Sequence, residues 1–353
     1  MPEPAVGADA TQPPGSGALV SQLMLGYMST QLVAALLRLE LPDRIGDQER
    51  ESRELAAEAA MDPSALYRLL RTAASLGLLR ETSPERFGLT RAGQRLRRDV
   101  PNSLHAMATV FTDPSMYRAW EDLERSVGTG QAAFPERFGQ DYYSHLAQDP
   151  ELSQLFNVAH GQTTRGVGQR LGQVYDLTAA RWIVDVGGGD GTLLAAVLAE
   201  TPQARGTVYD TAAGLAQAQA TFAQASVADR ADTHVGDFRK SVPAGADVYL
   251  VKSTLHNWDD EQCADILRSC RAAVPDAGVL LLLETVLPEM VEPGAAPFAY
   301  LSDLNMLVNL GGRERTEAEF RALLAAAGFA MASVRSLDGT GDLGLRLIAA
   351  IPT

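Results

Sequence analysis

The stretch Arg181-Trp-Ile-Val-Asp-Val-Gly-Gly-Gly-Asp-Gly-Thr-Leu193 decides the fold. Arg181–Val186 is a short apolar run with β-branched residues that ends in glycines, the pattern of a buried parallel strand. Gly187, Gly189 and Gly191 fall at alternate positions before an apolar helix expected over Thr192–Glu200. Glycines there let the backbone turn sharply and let a ligand lie against bare main chain at a helix N-terminus. The spacing is G-x-G-x-G, whereas the dinucleotide fingerprint wants a further glycine where Thr192 stands. A diphosphate therefore fits less well than a ligand held by backbone and ribose contacts. The next strand ends in Asp210, about twenty residues on, where an acid accepts ribose hydroxyl hydrogen bonds. Loop and acid together indicate a nucleoside site.

Around this centre the chain is long enough, at 353 residues, for two domains and a sizeable core. A formal charge of −14 argues against nucleic acid or an anionic membrane as partner, since both would repel the molecule at long range. Cys263 and Cys270, the only two cysteines, lie seven apart on one expected helix face and suit reduced core thiols. The five histidines show no paired ligand spacing, so no metal site is expected. No basic region followed by an apolar stretch opens the chain and no apolar run matches a membrane span, so a cytoplasmic location is expected.

Working outward toward the N-terminus, residues 1–17 are rich in Pro, Gly, Ala and Ser and read as a disordered tail. From Ala18 to Leu39 apolar residues recur at helical spacing, and so broad a face near a terminus suits a dimer interface. Short helix Glu51–Ala60, helix Pro63–Leu76 capped by Asp62 and stopped by Gly77, and strands at 78–80 and 87–89 form a winged-helix pattern over 18–100. That pattern serves either DNA, through Tyr67, Arg68 and Arg71, or dimerisation; the acidic charge favours the second. Residues 101–175 read as mostly helical, with scattered aromatics that form core or line a pocket for a flat substrate. Toward the C-terminus strand and helix alternate, with strands expected at 181–186, 206–210, 231–235, 246–252 and 279–284. Ala330–Val334 and Leu343–Ile351 follow one another without a helix, which implies an antiparallel hairpin at a sheet edge. Thr316-Glu317-Ala318-Glu319 is a capping box for a helix that Gly328 stops.

Ligands of open α/β sheets bind outside the carboxyl ends of the strands. Those ends carry the glycine loop, Asp210, Asp237-Phe238, Lys252 with His256, and Glu284. Asp237 could accept a hydrogen bond from an exocyclic amine while Phe238 packs on the base. Two acids about one cavity repel phosphate and suit a cation. S-adenosylmethionine, an adenosine with a sulfonium and no phosphate, is such a molecule. His256 stands at the same edge, where its unperturbed pKa near 6.5 suits a proton acceptor at neutral pH, although a lone histidine is more often structural. Glu284 and Glu314 could orient its ring or hold a substrate; either alone reads equally as a salt-bridge partner.

Val-Asp-Val-Gly-Gly-Gly-Asp-Gly, Gly-Asp-Phe, Lys-x-x-x-His-x-Trp-x-Asp-Glu and Gly-Gly-x-Glu-Arg-Thr occur in this order. As a set they resemble the S-adenosylmethionine-dependent O-methyltransferases, in the subgroup shared by plant caffeic acid and flavonoid enzymes and bacterial natural-product enzymes of the mitomycin and carminomycin type. The resemblance runs from about residue 18 to the end. It implies an α/β fold with a Rossmann-like methyltransferase sheet and an antiparallel last strand, residues 176–353, behind a mostly helical winged-helix dimerisation domain.

The resemblance also implies roles. The methionine part of the cofactor would lie on Gly187 and Gly189, the ribose on Asp210, and the adenine by Asp237 and Phe238 with Trp258 near. Lys252 would add a further cofactor contact. His256 would be the general base, held by Glu284 and Glu314. Acceptor contacts are expected at Phe156, His160, Asn257, Asn305 and Asn309. His160 stands where the family usually has methionine, and Asn257 where it usually has aspartate, so both departures touch the acceptor side. The implied reaction is methylation of a hydroxyl on an aromatic or polycyclic natural-product intermediate by a homodimer. Carbon or nitrogen methylation, hydroxylation, decarboxylation or cyclisation on the same scaffold are the alternatives. A DNA-binding regulator is opposed by the charge, and a nicotinamide dehydrogenase by Thr192 and the paired acids.

Overall fold

The computed structural model describes residues 16–292, 294–337 and 344–353. Residues 1–15 of the expected tail and the expected strand start at Leu343 lie outside them. Ser16 and Gly17, assigned to that tail, instead open the first helix. The chain divides into two compact units, one up to Thr112 and one from Asp113 to Thr353.

In the first unit the apolar segment 18–39 is not one helix but two, α1 (Ser16–Met24) and α2 (Gly26–Arg38), bent by 41°. Gly26 follows the break, where glycine's backbone freedom weakens helix continuity. Leu32, Leu36 and Leu37 are buried, while Leu19, Val20, Leu23, Met24 and Tyr27 stay exposed. Then come α3 (Leu41–Ile45), β1 (Arg50–Glu51), α4 (Ser52–Glu58), α5 (Pro63–Ser75), β2 (Leu79–Ser83), β3 (Arg86–Leu89), α6 (Arg91–Gln94) and α7 (His105–Phe111). Asp62 caps α5 by accepting from the Ala65 amide at 2.8 Å. The two expected strands pair as a hairpin, and β1, which is too short for any periodicity to reveal, adds a third strand against β3. Two arginines of this unit are engaged internally, Arg97 with Asp47 at 2.7 Å and Arg98 with Glu40 at 3.0 Å.

The second unit opens with helices α8 (Pro114–Arg118), α9 (Leu123–Thr129), α10 (Phe134–Phe138), α11 (Tyr142–Gln148) and the long α12 (Pro150–Val174). The alternating part follows as β4 (Trp182–Val186), α13 (Thr192–Glu200), β5 (Arg205–Asp210), α14 (Ala218–Gln224), β6 (Ala231–Val235), β7 (Val248–Lys252), α15 (Asp260–Ala273) and β8 (Val279–Leu287). It closes with α16 (Phe298–Asn309), β9 (Arg315–Thr316), α17 (Glu317–Ala326), β10 (Phe329–Ser336) and β11 (Leu345–Pro352).

The sheet order is β10-β11-β8-β7-β4-β5-β6, with β9 beside β8. Strands β4 to β8 pair in parallel, and β11 runs antiparallel to both β8 and β10. Successive residues of a strand face opposite sides of the sheet. Ile183, Leu250 and Leu281 therefore pack under α12, α13 and α14, and Val184, Tyr249 and Leu282 under α15 and α17. Each such apolar side chain fully withdrawn from water contributes about 1.5–3 kcal/mol. From β4 the chain winds outward to β6, then returns to β7 on the other side of β4. That reversal leaves a crevice at the carboxyl ends of the central strands.

Candidate functional site

The loop after β4 is built by backbone geometry. Gly187, Gly189 and Gly191 all have positive φ, at 70°, 54° and 75°. A β-carbon on Gly187 would stand 2.9 Å from Thr254 Oγ1, and one on Gly191 2.6 Å from the Phe222 ring. At Gly189 nothing lies within 4 Å of that direction, so the main chain there faces open space. Asp210, at the end of β5, draws the loop in by accepting from the Gly189 amide at 2.9 Å and the Thr211 amide at 2.6 Å. Burial pushes the Asp210 carboxyl up, and these amides partly offset the rise.

Beneath the loop lies Asp185, a residue the strand pattern hid inside an apolar run. It is 1% exposed, and neither carboxylate oxygen forms a well-aligned hydrogen bond among the described residues. Burial first, then the charge of Asp210, pushes it up to about 7. A buried acid with only a weak main-chain donor at Leu194, below open main chain, suits the nearby Lys252 ammonium. Lys252, ending β7, donates to Ser253 Oγ at 3.2 Å; burial lowers its pKa against the opposing charges of Glu284, Asp185 and Asp190.

Asp237 and Phe238 follow β6. Burial alone would raise Asp237, but hydrogen bonds from Arg239 and Lys240 hold it below the usual carboxylate range. Phe238 meets Trp258 edge to face at 6.3 Å, and Arg239 lies 5.0 Å over the Trp258 ring. An aromatic wall thus stands where the resemblance puts the adenine.

His256 sits in a short 3-10 turn, Leu255–Asn257, between β7 and α15. Its Nδ1 lies 3.0 Å from Glu314 Oε1, an oxygen that also accepts from Ser302 Oγ at 2.8 Å. Glu314 is 2% exposed and its amide donates to Asp303 at 2.8 Å. Burial alone would lower His256, but the charge and hydrogen bond of Glu314, with Glu284 adding, push it up to about 9. The unperturbed value expected from sequence is thereby corrected. The His256 imidazole is more basic than a free one because its carboxylate partner is buried with it.

Glu284 departs from expectation twice. It lies inside β8, which continues to Leu287 because β9 and β11 extend the pairing, rather than at a strand end. Its Oε1 accepts from the amides of Thr254 and Leu255, at 2.9 and 2.8 Å, so it holds the main chain of the turn and not the His256 ring. Among the described residues, Glu314 is the carboxylate hydrogen-bonded to the ring.

Where the resemblance puts the acceptor, Phe156 and His160 of α12 lie tilted against each other with ring centres 4.3 Å apart, and Tyr143 is 6.4 Å from Phe156. His160 and Tyr143 keep accessible surface although protein surrounds them, as side chains lining a cleft do. Burial, with Lys252 and His256 adding, lowers His160 to about 3, so this imidazole is neutral at working pH. Asn257 donates to Ser253 O at 3.3 Å. Asn305 and Asn309 are buried, and the Asn305 side-chain oxygen accepts from both Trp120 Nε1 and Asn309 Nδ2, at 3.0 and 2.9 Å. These two were expected to face the acceptor. The structure instead uses the Asn305 oxygen and the Asn309 amide nitrogen on one another and on Trp120, and leaves the buried Asn309 Oδ1 without a hydrogen bond among the described residues. Among the described residues no group of three or more His, Cys, Asp or Glu could hold a metal ion.

With the geometry in view, a family model for the O-methyltransferase domain matches residues 120–330, and one for an O-methyltransferase dimerisation domain matches residues 21–99. O-demethylpuromycin-O-methyltransferase of Streptomyces alboniger is 45% identical over 334 residues, 94% of this chain and 88% of that one. Phenazine O-methyltransferase of Lysobacter antibioticus is 40% identical over 316 residues, 90% of this chain and 92% of that one. A solved O-methyltransferase from neocarzinostatin biosynthesis, in complex with S-adenosylmethionine and 2-hydroxy-5-methyl naphthoic acid, superposes with a TM-score of 0.76 at 30% identity. That match covers 92% of this chain and 96% of that one.

Proposed function

The chain belongs to the S-adenosylmethionine-dependent O-methyltransferases, and from that premise we propose that it methylates a phenolic hydroxyl of an aromatic or polycyclic natural-product intermediate, with His256 as general base. The observation that carries the reading is the His256–Glu314 contact at 3.0 Å beside a glycine loop whose main chain faces open space. Methylation at carbon or nitrogen, or another reaction on the scaffold, finds less support, since the relatives described above are O-methyltransferases by name.

The residues present suit the cofactor. When bound, S-adenosylmethionine supplies a methyl group activated by a sulfonium, which becomes a neutral thioether as the methyl leaves. Gly187 and Gly189 offer bare main chain to its methionine part, Asp210 keeps spare lone pairs for the ribose, and Phe238 with Asp237 and Trp258 frames the base. Asp185 and Lys252 set the charge beneath the loop.

With Nδ1 committed to Glu314, Nε2 is the ring nitrogen that takes the hydroxyl proton. A base near 9 lies close in proton affinity to a phenol, near 10, so the transfer is almost level in energy. The oxygen then forms its bond to the methyl group, and the proton rests on Nε2 while Glu314 balances the imidazolium. Such a base contributes about 10²–10⁴ in rate, and alignment of the two reactants up to about 7–11 kcal/mol. Phe156, His160 and Asn257 would meet the acceptor, with Asn305 and Asn309 setting the pocket wall behind them.

We assign dimerisation to the first unit from residue 18, pocket formation to residues 113–175 and cofactor binding to 176–353, in a cytoplasmic homodimer. The exposed apolar face of α1 and the start of α2 supports the pairing of two copies. The test is incubation with methyl-labelled cofactor and a panel of phenols, catechols and hydroxylated polycycles. One methyl gained on oxygen is expected; binding of S-adenosylhomocysteine with no transfer to any hydroxyl would refute the reading.

A further inference from the structure

Arg315 is fully buried, and each of its five N–H donors has an acceptor. Nη1 donates to Leu255 O at 3.1 Å and to Arg313 O at 3.3 Å. Nη2 donates to Trp258 O at 2.9 Å and to Asp260 Oδ1 at 2.7 Å, and Nε donates to the same carboxylate oxygen at 3.0 Å. Leu255 and Trp258 flank His256, so the guanidinium grips the turn at both ends. Asp260, in the first turn of α15, is 59% exposed and orients the guanidinium from outside. Gly312 completes the grip: a β-carbon there would stand 2.1 Å from His256 O and 2.7 Å from Trp258 N.

Successive residues of an extended segment point opposite ways. Glu314 accordingly holds the His256 ring while Arg315 holds the main chain that carries it. A charge withdrawn from water is costly unless fully bonded, and this one is bonded to carbonyl oxygens of the segment bearing the proposed base. A lysine, with one compact ammonium, could not span both carbonyls.

We propose that Arg315 is a positioning residue for methyl transfer, whose grip on Leu255 and Trp258 sets the distance at which the His256 ring meets Glu314. The proposal rests on the reading of His256 as the base, but its central measurement does not depend on turnover. The groups that face the His256 ring electrostatically are Glu314, Glu284, Lys252 and His160. Loosening the contact with Glu314 removes the largest influence raising the ring's pKa, so the titration must move to lower pH.

The test is a pH titration of the full-length chain carrying ring-labelled histidine, read by NMR, with His256→Ala assigning the signal. In Arg315→Lys the His256 midpoint is expected to fall by at least about one pH unit. Turnover per folded molecule should drop about thirtyfold or more, as misplacement of a reacting group does, while KM for S-adenosylmethionine stays within about threefold. Asp260→Asn, a substitution at an exposed carboxylate, should shift both readouts the same way by less. A lowered melting temperature with an unmoved titration and unchanged turnover in Arg315→Lys would overturn the proposal. Should that variant not fold, Asp260→Asn decides by the same two readouts. Full turnover in His256→Ala would defeat the base assignment and leave the titration to judge Arg315 alone.

Discussion

The glycine loop after β4 and the turn bearing His256 stand at neighbouring strand ends, yet they are held by different means. The loop is largely local: three positive-φ glycines within five residues shape it, and its amides at Gly187 and Gly189 reach no farther than the end of the adjacent strand, to Tyr209 O at 2.8 Å and Asp210 at 2.9 Å. The turn is assembled from afar, by Glu284 at 29 and 30 positions, Glu314 at 58, and Arg315 at 57 and 60. Main chain seats a ligand by shape, whereas a proton acceptor needs its ring and its charge partner fixed together. One side of the cleft should therefore respond to substitution in affinity, and the other in rate and pH.

The largest expected effect is on the catalytic side. His256→Ala should lower kcat by about a hundredfold or more, with S-adenosylhomocysteine affinity by calorimetry unchanged. Unchanged kcat would leave alignment as the whole of catalysis. On the cofactor side, Gly187→Ala forces a β-carbon against Thr254 Oγ1 at positive φ. The strain of about 1–2 kcal/mol should weaken S-adenosylhomocysteine binding about tenfold, while the pH profile at saturation holds still. A moved profile would mean the two sides are not separable.

Glu314→Gln sharpens the contrast in pH. Wild-type kcat/KM for a neutral acceptor should rise as pH climbs through about 9, because His256 must lose its proton first. Without the carboxylate charge the midpoint should fall toward 6.5, and the rate plateau should fall with it. A midpoint that stays put would place the titration on another group.

The smallest effect is on stability. His256 is raised in the folded state, so its pairing stabilises fully below the unfolded value near 6.5 and is lost as pH rises through about 9. The difference in melting temperature between wild type and His256→Ala should shrink across that window. A difference that grows with pH would contradict the direction assigned to the shift.

Where period and punctuation are local, the sequence was legible. Helix α13 over Thr192–Glu200, the capping box at Thr316 and Glu319 with both bonds made, and the antiparallel pair closing the sheet all follow from short-range pattern. The bend at Gly26 escaped it because a glycine permits a break without requiring one, and the short strand β1 because two residues carry no period. In the site, the glycines, Asp210 and His256 stood out by chemistry at a strand end. Asp185 was masked by its apolar neighbours, and Arg315 read only as part of a motif.

Residue order by itself determined that an acidic, two-part chain would wind a mostly parallel sheet past a glycine loop fit for a phosphate-free nucleoside. It did so because hydrophobic period and glycine spacing act over a few residues. Only the tertiary structure decided that Glu314 takes the ring, Glu284 and Arg315 the main chain, and Asn305 the indole of Trp120. Those assignments depend on which buried donor meets which acceptor, and folding brings such partners together from tens of residues apart.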